Sequence, residues 1–327
     1  MLGEVFRFSC GQHLTLRAVV DGEELRRSYS VCSGEDDGEL RVAIRAVPGG
    51  RFSRWAVERL EEGGQVDVMP PEGRFGAAAA GAPGRHHVAF AAGSGITPVL
   101  SIARTVLGRD PQARFTLVYG NRQVSSTLFL EALEDLKDRH LGRFAMHLLF
   151  SREPQETPLL EGRLDGERVR QFDCTLLPVD TIDEAYLCGP AGMIDGVSSA
   201  LAGLGLPAAR IHAERFGEAG GQLPPARAPD HAALRAELLV EIDGSRRRVP
   251  FREGDASVLE AALRAGLDLP YACKGGMCCT CRGRVLEGEV RMARNYSLEP
   301  AEVAAGHVLT CQAVPLTPRL VVSFDER

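Results

Sequence analysis

The strongest constraint in this chain is a run of cysteines near its C-terminal end. Cys273-Lys274-Gly275-Gly276-Met277-Cys278-Cys279-Thr280-Cys281 is followed by a lone Cys311. Setting Cys279 aside, the spacing is Cys-x4-Cys-x2-Cys…Cys, that of a [2Fe–2S] thiolate set. Such a cluster needs four thiolates and a backbone able to wrap two irons closely. Gly275 and Gly276 permit that approach and let amide N–H groups aim at the sulfurs, which helps set the potential. The competing reading is a structural zinc site with four cysteine ligands. Zinc favours paired Cys-x2–4-Cys knuckles, whereas Cys311 stands alone. Cys279 would break the spacing as a ligand and reads as a packed neighbour.

The other four cysteines, Cys10, Cys32, Cys174 and Cys188, are scattered. In a reducing compartment a tight cysteine cluster points to metal or redox chemistry rather than disulfides. The N-terminus, Met1-Leu2-Gly3-Glu4-Val5-Phe6-Arg7, has no basic region followed by an apolar stretch. No apolar run approaches the roughly 20 residues of a membrane span. The cytoplasm is the default setting. A net charge of -6 argues against nucleic acid and against a basic membrane-surface protein. The length of 327 residues predicts two or three domains, and 44% hydrophobic residues suffice for more than one core.

Patterning divides the chain. Up to about residue 82 there are short alternating strands, His13–Val20, Ser28–Ser33, Leu40–Arg45 and Gln65–Met69, with one helix at Ser53–Glu61. This predicts an antiparallel β-barrel. From 83 to 217 apolar strands (Val88–Ala92, Phe115–Tyr119, Ala145–Phe150, Ala185–Cys188, Ile211–Phe216) alternate with helices (Pro98–Leu107, Thr127–Leu136, Gly192–Leu204). That rhythm predicts an α/β parallel sheet with ligands at the strands' C-terminal ends. Residues 218–235 read as a Gly/Pro-rich linker. Residues 236–327 hold a hairpin turning at Asp243-Gly244, a helix capped by Ser257 and stopped by Gly266, and the cysteine loop.

Other motifs sit at the ends of these elements. Arg27-Ser28-Tyr29-Ser30 lies on a predicted strand: a guanidinium suits phosphates, a ring packs on a flat cofactor, and a hydroxyl donates nearby. Gly50-Arg51-Phe52-Ser53 precedes a helix, whose N-terminus suits a pyrophosphate; Ser53 also reads as a plain N-cap. Gly93-Ser94-Gly95-Ile96-Thr97-Pro98 follows a strand and opens a helix, with Thr97 as its cap and Pro98 in its first turn. It fails the Gly-x-Gly-x-x-Gly fingerprint because Pro98 holds the third glycine's place.

These motifs carry a resemblance. Arg27-x-Tyr29-Ser30, Gly50-x-x-Ser53, the Gly93–Pro98 loop and Cys188-Gly189-Pro190 resemble the flavin and nucleotide signatures of the ferredoxin–NADP reductase superfamily. The last ninety residues look like a plant-type ferredoxin domain, which implies a β-grasp fold. Its 12 Lys/Arg against 13 Asp/Glu lack the acidity of free photosynthetic ferredoxins, which fits a cluster fed by its own tethered reductase. The resemblance implies FAD, a nicotinamide nucleotide and a [2Fe–2S] cluster. It implies cluster ligands Cys273, Cys278, Cys281 and Cys311. It places Cys188 beside the hydride-transfer locus, Ser30 near the reactive flavin nitrogen, Glu214 as a polar or proton-relay group, and Phe216 over the flavin face. Arg122, Ser151 and Arg152 favour the 2′-phosphate of NADPH over NADH, since the nearest acid is Glu153. Arg27-Ser28-Tyr29-Ser30, Tyr119-Gly120-Asn121-Arg122, Ser151-Arg152-Glu153-Pro154, Leu298-Glu299-Pro300 and Leu309-Thr310-Cys311-Gln312-Ala313 are similar to the reductase components of bacterial phenylacetyl-CoA 1,2-epoxidases. That implies electron flow from NADPH through FAD and the cluster to a di-iron oxygenase in phenylacetate catabolism; another soluble oxygenase is the alternative acceptor.

The family's Phe-x-Pro-Gly-Gln segment is normally preceded by two strands. Here Phe8-Ser9-Cys10-Gly11-Gln12 starts almost at Met1, with Cys10 in place of proline. The expectation is an N-terminally shortened barrel, and with it a second reading: a non-catalytic [2Fe–2S] carrier with an incomplete flavin domain. A zinc-stapled binding module is the third.

Overall fold

The computed structural model describes residues 3–216 and 235–326. The chain divides into two compact units interleaved along the sequence. One comprises Met1–Leu14, Tyr29–Ala43 and Pro70–Phe216; the other Thr15–Ser28, Ile44–Met69 and Gly217–Arg327. The linker expected at 218–235 lies, except for Arg235, outside the described residues.

The first strands are β1 (His13–Val20) and β2 (Glu23–Ser30). They form a hairpin because Asp21 and Gly22 both take positive φ, 53° and 79°, the turn that matches strand twist. Helix α1 (Arg51–Arg59) and the short β3 (Asp67–Val68) follow. The sheet order is β2-β1-β3, with Leu16 opposite Val68. Two expectations fail here. The second strand begins at Glu23 rather than Ser28, its charged stretch Glu23–Arg27 having hidden it. Leu40–Arg45 forms only one bridge, Val31 to Val42. Among the described residues this sheet has three strands and stays open.

The larger unit holds a five-stranded parallel sheet. Its strands are β4 (His86–Ala92), β5 (Arg114–Asn121), β6 (Phe144–Phe150), β7 (Glu184–Gly189) and β8 (Ile211–Arg215), in the order β6-β5-β4-β7-β8. The crossover helices are α2 (Ile96–Arg109), α3 (Leu130–Arg139), α4 (Gly166–Asp173) and α5 (Ala191–Gly203). Strand alternation sorts side chains onto two cores. Ala89, Ala91, Phe115, Leu117 and Tyr119 pack with the α2 and α3 residues Val99, Ile102 and Leu133. Val88, Phe90 and Val118 pack with the α4 and α5 residues Val169, Phe172, Ile194 and Val197. Each fully buried Leu, Ile or Phe contributes about 1.5–3 kcal/mol. The order reverses at β4, so the gap between β4 and β7 is the topological switch point, where open α/β sheets take their ligands.

The C-terminal part builds its own sheet. Strands β9 (Ala236–Ile242) and β10 (Ser245–Phe251) join through Asp243 and Gly244, again at positive φ (50° and 69°). Helix α6 (Val258–Arg264) is capped as expected: the Ser257 hydroxyl accepts from the Glu260 amide at 3.2 Å, and Gly266 sits at φ 79° beyond its end. After the cysteine loop come β11 (Arg282–Glu287), β12 (Val290–Met292), α7 (Pro300–Ala304), β13 (His307–Leu309), β14 (Ala313–Pro315) and β15 (Arg319–Ser323). The mixed sheet runs β10-β9-β15-β11-β13, with β15 parallel to β9. Leu238, Val240, Leu259 and Leu320 fill its core. Among the described residues, no helix is long and apolar enough to cross a membrane.

Candidate functional site

At the switch point, β4 runs into Gly93-Ser94-Gly95 and then directly into α2. Gly93 has φ 54°. Gly95 is required by close approach: a Cβ there would lie 2.0 Å from the Cys188 carbonyl oxygen and 2.4 Å from its carbon. The loop after β4 is thus pressed against the end of β7. Thr97 is not the helix cap. Gly95 already has helical φ and ψ, so α2 starts at Ile96, and the Thr97 hydroxyl instead donates to the Ser94 carbonyl at 2.9 Å. Pro98 is buried in the first turn, where its missing N–H costs nothing. The Tyr119 hydroxyl, in the core, donates to the Gly93 carbonyl at 2.9 Å and steadies the loop.

Cys188, the penultimate residue of β7, is buried and lies opposite Ala91 on β4 and Glu214 on β8. Burial, then the Glu214 charge, push its thiol well above the usual range, so it stays neutral. Gly189 and Pro190 carry the chain into α5. The Ser30 hydroxyl donates to Glu214 Oε2 at 3.2 Å. Burial raises the Glu214 carboxyl to about 8 against the opposing pull of that hydrogen bond, so at neutral pH it is mostly protonated. Phe216, just past β8, packs on the α2 side of the sheet. Ser30, Gly95, Cys188, Glu214 and Phe216 thus belong to one compact unit.

At the ends of β5 and β6, the Ser151 amide donates to the Asn121 carbonyl at 3.0 Å and the Arg152 amide to the Arg122 carbonyl at 2.9 Å. Arg122, Ser151 and Arg152 are therefore side by side and exposed. Beside them Glu153 accepts the Val124 amide through Oε2 at 2.9 Å.

On β2, alternation puts Arg27 and Tyr29 on one face and Ser30 on the other. Arg27 is exposed and its guanidinium donates to the Arg26 carbonyl at 2.7 Å. Ser53 is not an N-cap. Helix α1 begins two residues earlier, with Gly50 as cap and no side-chain cap bond. Gly50 is required: a Cβ would meet Ser53 Oγ and Val47 Cγ2, both at 2.5 Å. The buried Ser53 hydroxyl accepts from the Val47 amide at 3.3 Å and donates to the Gly50 carbonyl at 3.4 Å, which fixes the turn before the helix. This leaves uncapped first-turn N–H groups, the chemistry a pyrophosphate needs.

The cysteine loop joins α6 to β11. Its four thiols, Cys273, Cys278, Cys281 and Cys311, influence one another's titration, Cys273 chiefly through Cys278 and Cys311 chiefly through Cys281. Among the described residues, no three His, Cys, Asp or Glu side chains gather as around a single metal ion. Four thiolates are what a [2Fe–2S] cluster needs. The Gly275 amide donates to Cys273 Sγ at 3.3 Å. The Cys278 thiol, helped by backbone amides, holds the Cys273 thiol below its ordinary range. Lys274, Gly276 and Cys279 all take positive φ. A Cβ on Gly276 would come within 3.1 Å of the Arg294 carbonyl. All nine cysteines are free. Two residues to which the motifs gave no role shape the loop. Gln312 is buried and donates through Nε2 to the Lys274 carbonyl at 2.8 Å. Arg26 contacts the segment leading into Cys273. The sequence signal for Gln312 was its place next to Cys311; Arg26 had none beyond a charge mid-strand.

The donor sets at these places fit the three groups named above. Comparison with known proteins agrees. Residues 3–76 match the model of the oxidoreductase FAD-binding domain, 90–199 that of the oxidoreductase NAD-binding domain, and 240–316 that of the 2Fe-2S iron-sulfur cluster binding domain. The chain is 47% identical to a component of the 1,2-phenylacetyl-CoA epoxidase of Escherichia coli K12, over 100% of this chain and 91% of that one. It is 33% identical to the ferredoxin reductase component of a Rhodococcus rhodochrous 3-ketosteroid-9-alpha-monooxygenase, over 99% and 90%. Phthalate dioxygenase reductase shares its fold, with a TM-score of 0.55 at 24% identity over 97% of this chain and 88% of that one. An intact type IV self-sufficient cytochrome P450 monooxygenase superposes with a TM-score of 0.68 at 25% identity; the match covers 97% of this chain and 37% of that one. This chain belongs to the family of FAD- and [2Fe–2S]-containing oxygenase reductase components that includes the 1,2-phenylacetyl-CoA epoxidase protein of Escherichia coli.

Proposed function

We propose that this protein is an NADPH-dependent reductase that passes single electrons to a di-iron oxygenase, with phenylacetyl-CoA 1,2-epoxidase as its acceptor. One observation supports this above the rest: a built nucleotide switch point and a loop with [2Fe–2S] cysteine spacing occur in one chain. NADPH supplies two electrons as hydride, FAD takes both and releases them singly, and a [2Fe–2S] cluster carries one at a time.

The chain's own residues have distinct tasks in this reading. Arg27 and the α1 N-terminus bind flavin phosphates, with Gly50 and Ser53 shaping the turn, and Tyr29 packs on the flavin ring. Ser30 gives its one hydroxyl hydrogen to Glu214 Oε2 and so ties that carboxyl down near the flavin, its own oxygen left to accept. Held by Ser30 and raised by burial, the Glu214 carboxyl keeps a proton near neutral pH that it could pass on. Neutral Cys188, with Gly189 and Pro190, walls the nicotinamide side without adding charge. Gly93, Gly95, Thr97 and Pro98 form the nucleotide loop, and Phe216 covers the flavin. Arg122, Ser151 and Arg152 recognise the 2′-phosphate, the guanidiniums supplying the positive charge and the hydroxyl a hydrogen bond. Cys273, Cys278, Cys281 and Cys311 would hold the [2Fe–2S] cluster.

We assign 1–82 to a flavin domain of barrel type, 83–217 to the nucleotide domain, 218–235 to a linker and 236–327 to a β-grasp ferredoxin domain. A reducing cytoplasm is the setting that suits cysteines serving as cluster ligands rather than in disulfides. The test is reduction of cytochrome c by the purified holoprotein, followed by reconstitution with the epoxidase. Turnover with NADPH well above that with NADH is expected. No turnover despite bound FAD and cluster would overturn the assignment.

A further inference from the structure

Arg26 belongs to none of the motifs above, yet it is a buried charge in the middle of β2. Its side chain is only 7% exposed. Each of its three nitrogens is engaged: Nη2 donates to Asp268 Oδ1 at 2.7 Å, Nη1 to the Leu269 carbonyl at 3.2 Å, and Nε to Glu24 Oε1 at 2.8 Å. Its guanidinium carbon lies 4.5 Å from the centre of the Tyr271 ring, a cation–π distance. Lys274 Nζ lies 4.8 Å from the same ring and pairs with Glu260 at 2.7 Å. On the neighbouring strand, Arg17 approaches Glu24 at 3.7 Å and Asp268 at 4.0 Å. Burial of a guanidinium is tolerated only where its donors are met. Here they are met largely by one short segment, Asp268–Tyr271, that leads from α6 to Cys273.

The placement is informative. Arg27, the next residue of β2, opens the flavin signature, and Tyr271 is two residues before the first cluster thiol. We propose that Arg26 is a positioning residue, a latch that fixes the flavin-signature strand against the cluster loop and so sets the rate of electron passage from flavin to cluster. The proposal rests on the reductase function given above. In that function each NADPH becomes NADP+ and H+ and gives up two electrons. These leave through the cluster one at a time, to two one-electron acceptors. The latch governs only the flavin-to-cluster step. Arg suits the task better than Lys, since only a planar fork meets a carboxylate and a carbonyl while stacking on a ring.

The test uses the full-length holoprotein carrying Arg26→Gln, Arg26→Lys or Asp268→Asn. Hydrogen–deuterium exchange reads the latch without turnover. Arg26→Gln should lose amide protection in both Glu24–Ser28 and Asp268–Lys274. Anaerobic stopped-flow with NADPH should then show flavin bleaching within twofold of wild type and cluster bleaching slowed about tenfold or more. Arg26→Lys should retain part of both. Asp268 is 73% exposed, so Asp268→Asn carries little folding risk and should give an intermediate loss; it decides the matter if Arg26→Gln does not fold. Unchanged exchange with unchanged cluster bleaching overturns the latch, and so does equal slowing of flavin and cluster. A wild-type cluster that never reduces would instead overturn the reductase function, while the exchange data would still read the contact.

Discussion

Gly95→Ala tests the nucleotide loop most sharply. The added methyl would sit 2.0 Å from the Cys188 carbonyl oxygen, 2.4 Å from its carbon and 3.0 Å from the Gly189 amide nitrogen. Contact between such atoms is best near about 3.5 Å, so the gap must open by roughly 1.5 Å. Every clashing atom is backbone in a central strand, and none can rotate away. Overpacking costs about 1–3 kcal/mol, occasionally more, and this site belongs at the upper end. For a unit of this size, about 3 kcal/mol corresponds to a melting temperature roughly 6–12 °C lower. NADPH affinity should fall as well, because the loop moves off its seat on Cys188. Gly192→Ala is the control: nothing lies within 4 Å of its Cβ position, and Ala favours a helix by about 1 kcal/mol. Thermal unfolding and NADPH titration of the two variants give the comparison. A Gly95→Ala protein that melts with wild type and binds NADPH unchanged would refute the close packing of the two loops.

Further outcomes concern the other groups. The Glu214 carboxyl is raised by burial to about 8 from its ordinary 4.5. Its contribution to stability is therefore full below about pH 4.5 and lost as pH rises through 8. Measured against Glu214→Gln by denaturant unfolding, wild type should lose up to about 1.4 kcal/mol per pH unit across that window; a constant difference between the two would contradict the burial argument. Cys279→Ala should keep the iron and labile sulfide content of wild type, whereas Cys278→Ala should lose it, as metal analysis will read. Arg122→Ala and Arg152→Ala should each raise KM for NADPH roughly tenfold, the scale of a lost charge-assisted hydrogen bond, and leave KM for NADH alone.

Features with local causes were legible in the sequence. The Asp-Gly pairs at 21–22 and 243–244 fix hairpins by their own φ preferences. The cysteine spacing and the β4–α2 loop follow from chemistry within a few residues. The parallel sheet was legible because its strands are apolar on both faces. Less local features were hidden. Thr97 and Ser53 read as caps by residue type, but glycines two or three positions earlier already lead into the helix, and the hydroxyls serve the turns instead. Helix α4 offers few apolar positions, among them Val169 and Phe172, too few to show a period. The start of β2 is concealed by charges, of which Arg26 is buried only because Asp268 and Leu269 return to it from 242 and 243 residues away. No window of sequence contains that pair.

The central claim is that one chain converts a hydride into single electrons through a flavin and its own cluster. Anaerobic titration of the full chain with NADPH, followed by its absorption spectrum, tests it directly. The account predicts about one FAD per chain, bleaching of the flavin bands, and bleaching of the cluster bands in the same titration. Cluster bands without flavin, or a reduced flavin beside a cluster that stays oxidised, would contradict it.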